Sequence, residues 1–195
     1  MHELIAFWSH ASAAMVFLAL LVWRIGVASS RPGRGLLLAG SAVTGCWAWL
    51  QAVAPGDPLA AYAETARNFV WIGLLYSLSA SSDERQQGVR LVYGAVVAVL
   101  GMQLIADSLA LLVDSGAVAE TADLLRITAA AGALVLVHNL YGQASPSSRS
   151  NIRLGMLALA AMWTYDLNLY TVMFLDAAAA SGLLEARGVA VALTG

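Results

Sequence analysis

Apolar residues run along this chain in blocks close to the ~20 helical residues that cross a hydrocarbon core, separated by short polar or turn-forming stretches. The pattern predicts six spans, at about residues 4–28, 35–54, 60–80, 91–113, 120–141 and 154–175. Between them lie Ser29-Ser30-Arg31-Pro32-Gly33-Arg34, the turn Pro55-Gly56-Asp57-Pro58, the stretch 81–87, Asp114-Ser115-Gly116 and the stretch 142–149. After the sixth span, a loop with Asp176, Glu185 and Arg187 precedes a second apolar start, residues 188–195, too short to cross. The expected fold is all-α: a polytopic transmembrane helix bundle of six full spans and the start of a seventh.

Arginine placement orients the bundle. With the N-terminus outside, inner ends and loops hold Arg24, Arg31, Arg34, Arg85, Arg90, Arg149 and Arg153, and outer ends hold Arg67, Arg126 and Arg187. The positive charge follows the first apolar run instead of preceding it, so that run reads as a retained helix and not a signal peptide. Six spans leave the end of the sixth outside. The tail from Gly188 then reads as a seventh span cut short, and the chain as the membrane part of a longer protein; the other reading is a complete small protein with an apolar tail.

Composition narrows the chemistry. The chain is 60% hydrophobic and 11% charged, against roughly a quarter charged in soluble domains. Its net charge of −2 offers no basic face to nucleic acid. All ten basic residues are Arg. A retinal Schiff base and a P-loop both need Lys, so both are excluded. Cys46 is the single cysteine and reads as a small packed thiol. His2, His10 and His138 are scattered, with no metal-ligand spacing.

Ionisable residues within spans are costly and mark sites or buried pairs. Counting ~1.5 Å per residue from the inner helix ends puts Asp107 and Arg126 about 24 Å up, Arg67 about 20 Å and Asp166 about 18 Å. Two acids and two arginines therefore converge in the outer half. The short turn at 114–116 makes spans 4 and 5 antiparallel neighbours, which predicts an Asp107–Arg126 pair; Asp166 with Arg67 is a second candidate pair, although nothing in the sequence makes spans 3 and 6 adjacent. Gln103 lies one turn before Asp107 and extends the set. Tyr165, Asn168 and Tyr170 are expected to crowd Asp166 with hydrogen-bonding groups, and the set reads as either packing pairs or an outward ligand-sensing pocket. His138, Asn139 and Tyr141 form a second cluster at the inner boundary, as an interfacial aromatic with polar caps. The six tryptophans read as anchors or packing, with Trp47 and Trp49 near an outer belt. Gly40, Ser41, Gly45, Gly94 and Gly101 read as points of close helix approach.

The run Val137-His138-Asn139-Leu140-Tyr141, a Ser/Pro/Arg loop with Arg149, and Tyr165-Asp166-Leu167-Asn168-Leu169-Tyr170 resembles the membrane region of the PrsK family, sensor histidine kinases of bacterial exosortase (PEP-CTERM) systems. That family reads approximately E-N-L-Y-R-N, then a loop with Arg, then Y-D-x-x-x-Y. Asn139, Leu140, Tyr141, Arg149, Tyr165, Asp166 and Tyr170 fall on this pattern, while His138 and Gly142 stand where it has Glu and Arg. The resemblance implies a multi-pass sensor in the bacterial inner membrane, acting as a homodimer. A cytoplasmic kinase region outside these residues would use ATP and Mg and pass phosphate to a response regulator controlling exopolysaccharide and PEP-CTERM genes. This segment itself carries no phospho-acceptor box or ATP lid, and no cofactor is expected in it. The alternative is a small transporter or channel subunit that uses the intramembrane Asp and Arg residues; no inverted repeat or broken-helix pair speaks for it. An intramembrane enzyme would need a base level with Asp166, and His138 lies too far below.

Overall fold

A computed structural model describes residues 2–26, 33–79, 86–144 and 146–195. The expected loops over 29–32 and 81–85 lie outside the described residues. Every regular element described is helical: α1 (His2–Gly26), α2 (Arg34–Val53), α3 (Pro58–Ser79), α4 (Gln86–Ala110), α5 (Gly116–Gln143), α6 (Pro146–Leu175) and α7 (Ser181–Ala192). Four of these, α1, α2, α4 and α5, are long and apolar enough to cross a membrane. The sequence pattern expects α3 and α6 among them. Their length suffices, but Glu64, Arg67 and Asn68 on α3, and Arg149, Arg153, Asp166 and Asn168 on α6, dilute their apolar character.

Each helix packs on the next in chain order, α3 also touches α5, and α7 packs on both α6 and α1. The helices thus form a ring that α7 closes. The polarity of the bundle is the reverse of a soluble fold. Leu4, Trp8, Val22, Leu91, Ile105 and Leu154 are exposed, while Glu64, Arg67, Gln103, Asp166 and Arg187 are buried. Such a surface suits lipid.

The core joins Trp47, Trp71, Leu75, Leu100, Leu136 and Trp163. Close approaches occur where a side chain would not fit. A Cβ on Gly40 would meet the Trp71 ring at 2.9 Å, one on Gly132 the Val96 side chain at 2.7 Å, and one on Gly188 the Ser9 backbone at 2.2 Å. Gly45 touches Leu18, but Gly94 and Gly101 face open space on α4 and mediate no approach. Cys46 is likewise exposed and not packed, because its neighbours Gly45 and Trp47 take the inward positions on α2. Of the two tryptophans assigned to a belt, only Trp49 is exposed; Trp47 is fully buried.

The tail also departs from expectation. Helix α7 begins at Ser181, so Glu185 and Arg187 lie on a helix and not in an outer loop. It packs on α1 and α6 with Arg187, Gly188 and Val191 buried, and so brings Arg187 to partners that a loop would not reach.

Candidate functional site

The site is built around four buried charges from three helices. Helical spacing puts Glu64 and Arg67 on one face of α3, one turn apart. Asp166 comes from α6 and Arg187 from α7. Arg67 Nη2 donates to Asp166 Oδ2 at 2.5 Å. Arg187 Nε and Nη2 donate to Asp166 Oδ1 at 3.0 and 2.8 Å. The same guanidinium forks onto Glu64, with Nη1 to Oε2 at 3.0 Å and Nη2 to Oε1 at 2.6 Å. All four side chains are at most 5% exposed, so the charges cancel out of reach of water.

Aromatic groups frame this cluster. The indole of Trp47 lies beneath both guanidinium groups, 4.4 Å from Arg67 and 4.8 Å from Arg187. Trp163 Nε1 donates to Asn68 Oδ1 at 3.1 Å, next to Arg67 on α3. The Tyr170 hydroxyl, one turn beyond Asp166, donates to Glu64 Oε1. Arg67 Nε and Nη1 and Trp47 Nε1 are buried without a hydrogen-bond partner.

A second charged group lies beside the first. Arg126 on α5 donates through Nη2 to Asp107 Oδ1 on α4 at 2.5 Å, and through Nη1 to Asp123 Oδ1 at 3.1 Å. The Tyr170 ring stands between the two groups, 5.6 Å from the Arg126 guanidinium and 5.2 Å from that of Arg187. Gln103 is buried on α4 and donates to Thr65 Oγ1 at 2.9 Å, which ties α4 to α3 one turn from Asp107.

Above these groups lies a cavity of about 450 Å³, within the range of small-molecule sites. Glu64, Arg126, Tyr170 and Arg187 form its polar side, with His10 from α1, and the turn 55–58, Met173 and Leu184 form walls. His10 Nδ1 donates to the Ala6 carbonyl at 2.9 Å, and its ring stands edge-on to Trp47 at 5.8 Å. Helix α7 is held to the bundle on two further sides. Ser9 Oγ donates to the Glu185 carbonyl at 2.7 Å, and the Tyr165 hydroxyl to the Leu183 carbonyl at 2.6 Å.

Of the residues singled out in the sequence, Asp166 with Arg67, and Asp107 with Arg126, form ion pairs. Three others do not join Asp166 as expected. Asn168 is exposed, because two residues along a helix turn a side chain by about 200° to the opposite face. Tyr165 bonds α7, and Tyr170 bonds Glu64. Of the inner-boundary residues, His138 and Tyr141 are exposed and Asn139 is half-buried. The contact made there is by Arg149, which donates to the Tyr141 and Gly142 carbonyls at 3.1 and 2.7 Å and so caps the end of α5.

Glu64, Arg187, Trp47 and Asn68 complete the site; the sequence placed Arg187 in an outer loop and Trp47 near a belt, and none of the four was counted among the site residues. Glu64 was within reach, since its i,i+3 spacing from Arg67 places it on the same face. Arg187 was not, because nothing in its surroundings marks it as buried. Among the described residues no three His, Cys, Asp or Glu side chains are grouped to hold a metal ion. No protein-family model, curated protein or solved structure matches this chain.

Proposed function

We propose that this chain is the membrane-embedded sensing module of a two-component histidine kinase, working as a homodimer in a bacterial inner membrane. In this reading α1 to α6 all cross, with the N-terminus outside, and the cavity faces outward. The buried charges of α3 and α6 do not oppose crossing, since Glu64, Arg67 and Asp166 meet one another and not lipid.

One observation carries the sensing part: Arg187 of α7 ties the polar side of the cavity to the buried acids of α3 and α6. Arg187 contacts Glu64 and Asp166 at once and sits mid-helix on α7. An occupant that alters the Glu64–Arg187 contact alters what holds α7 in the ring. A ligand shifts such an equilibrium by its differential affinity for the two arrangements. Helix shifts of this kind are a common currency of transmembrane signalling. The kinase part is supported by the likeness of residues 137–170 to PrsK-family sensors, and ATP, Mg and the response regulator belong to that further region.

Autophosphorylation from ATP by the full-length gene product in lipid tests this, wild type against Asp166→Asn. The expected result is incorporation by the wild type and a variant locked on or off. Normal responsiveness in the variant reduces Asp166 to packing, and absence of any incorporation removes the kinase assignment.

A further inference from the structure

We infer that the cavity takes a small carboxylate carried on an apolar body, and that Arg126 is the group that holds it. This rests on the sensory reading of the cavity and names its ligand class. The apolar requirement comes from Pro55, Pro58, Met173 and Leu184 in the walls.

The charge follows from which polar groups have hydrogen-bonding capacity left. Glu64 is occupied: Oε1 accepts from Tyr170 and from Arg187, and Oε2 from Arg187. Four of the five N–H donors of Arg187 are engaged with Glu64 and Asp166. Arg126 differs. A guanidinium carries five N–H donors; the bonds of Arg126 to Asp107 and Asp123 engage one on Nη2 and one on Nη1 and leave three, Nε–H among them, unassigned. Its side chain is 16% exposed and lines the cavity. The capacity left at Arg126 is therefore cationic and donating, which suits a planar two-oxygen acceptor.

The two partners of Arg126 are unequal. Asp107 is 6% exposed and comes from another helix, whereas Asp123 is 20% exposed and lies one turn before Arg126 on the same helix. An incoming carboxylate replaces Asp123, which turns to water, and the guanidinium keeps two acidic partners throughout. The other acids of the lining, Asp57 and Glu185, are partly exposed, where water weakens their field. To reach the buried acid of the lining, a ligand ammonium would have to displace Arg187 from Glu64.

The test is calorimetric titration of the full chain in lipid nanodiscs with three probes of one shape: phenylacetate, phenylacetamide and phenethylammonium. Phenylacetate is expected to bind, with the amide at least about ten-fold weaker and the ammonium weaker still. Asp123→Asn, which keeps the buried Asp107–Arg126 pair, is expected to tighten phenylacetate by about three-fold or more. The paired change Asp107→Asn with Arg126→Gln, which leaves no lone buried charge, is expected to abolish binding. The inference is overturned if the three probes bind alike, if the ammonium binds best, if none binds, or if Asp123→Asn changes nothing. Phenylacetate binding without phosphorylation would uphold the carboxylate site and remove the kinase reading; phosphorylation without binding would do the reverse.

Discussion

Asp166 accepts from arginines on two different helices, so its loss is felt on both. Replacing it with Ala leaves Arg67 buried, with Asn68 Oδ1 at 3.5 Å and Glu64 at 4.0 Å as its nearest polar contacts. Removing one member of a buried ion pair costs about 3–5 kcal/mol. Asp166→Ala should therefore lower unfolding stability in detergent by that order, and Arg67→Met/Asp166→Leu should recover much of it. A double-mutant cycle by chemical denaturation measures the coupling; simple additivity would mean that the 2.5 Å contact contributes nothing. Trp47 has a different role. With two guanidinium groups over one ring, Trp47→Leu keeps much of the apolar volume but loses the ring face, an expected loss of about 1–2 kcal/mol in the same assay.

Helix α7 is the element on which the arrangement turns. It has no long apolar run, yet it closes the ring through Arg187, the Ser9 and Tyr165 hydrogen bonds and the bare backbone of Gly188. A Cβ at Gly188 would stand 2.2 Å from the Ser9 carbonyl carbon and 2.3 Å from the His10 nitrogen, and backbone cannot yield as a side-chain tip does. Gly188→Ala is thus expected to undock α7 while leaving α1 to α6 in place. Hydrogen exchange in nanodiscs should show protection lost over 181–192 and retained in α2 to α5. Gly94→Ala, facing open space on α4, is the control and should change neither. Loss of protection throughout the bundle would mean that α7 and the ring fold as one unit.

At the scale of the molecule, the bundle exposes many large apolar side chains and buries Glu64, Arg67, Asp107, Asp166 and Arg187. That distribution suits a low-dielectric surround, and the proposed N-out orientation follows from arginine counts. A labelling experiment checks it. Cys46 is the single cysteine, so Cys46→Ser gives a clean background. Asp57→Cys in the α2–α3 turn should then react with a membrane-impermeant maleimide in intact spheroplasts, whereas Asn139→Cys near the end of α5 should react only after permeabilisation. The opposite pattern would invert the orientation and turn the cavity toward the cytoplasm.

Hydropathy blocks by themselves determined an all-helical chain, the approximate limits of six of the helices, and the need for its intramembrane charges to find partners. These follow because lipid tolerates no unpaired backbone and few lone charges, so the constraint acts on sequence directly. The Asp107–Arg126 pair was legible for the same reason, as a short turn forces α4 and α5 together. Asn168 was misassigned because nearness in sequence is not a shared helical face. Tertiary structure alone decided that Arg187 enters the core, that Glu64 and Asp166 share it, and that Trp47 underlies two cations instead of anchoring the interface. Those contacts join residues far apart along the chain, and no local periodicity records them. They exist because α7 folds back against α1 and brings a cation to two acids that one arginine could not satisfy.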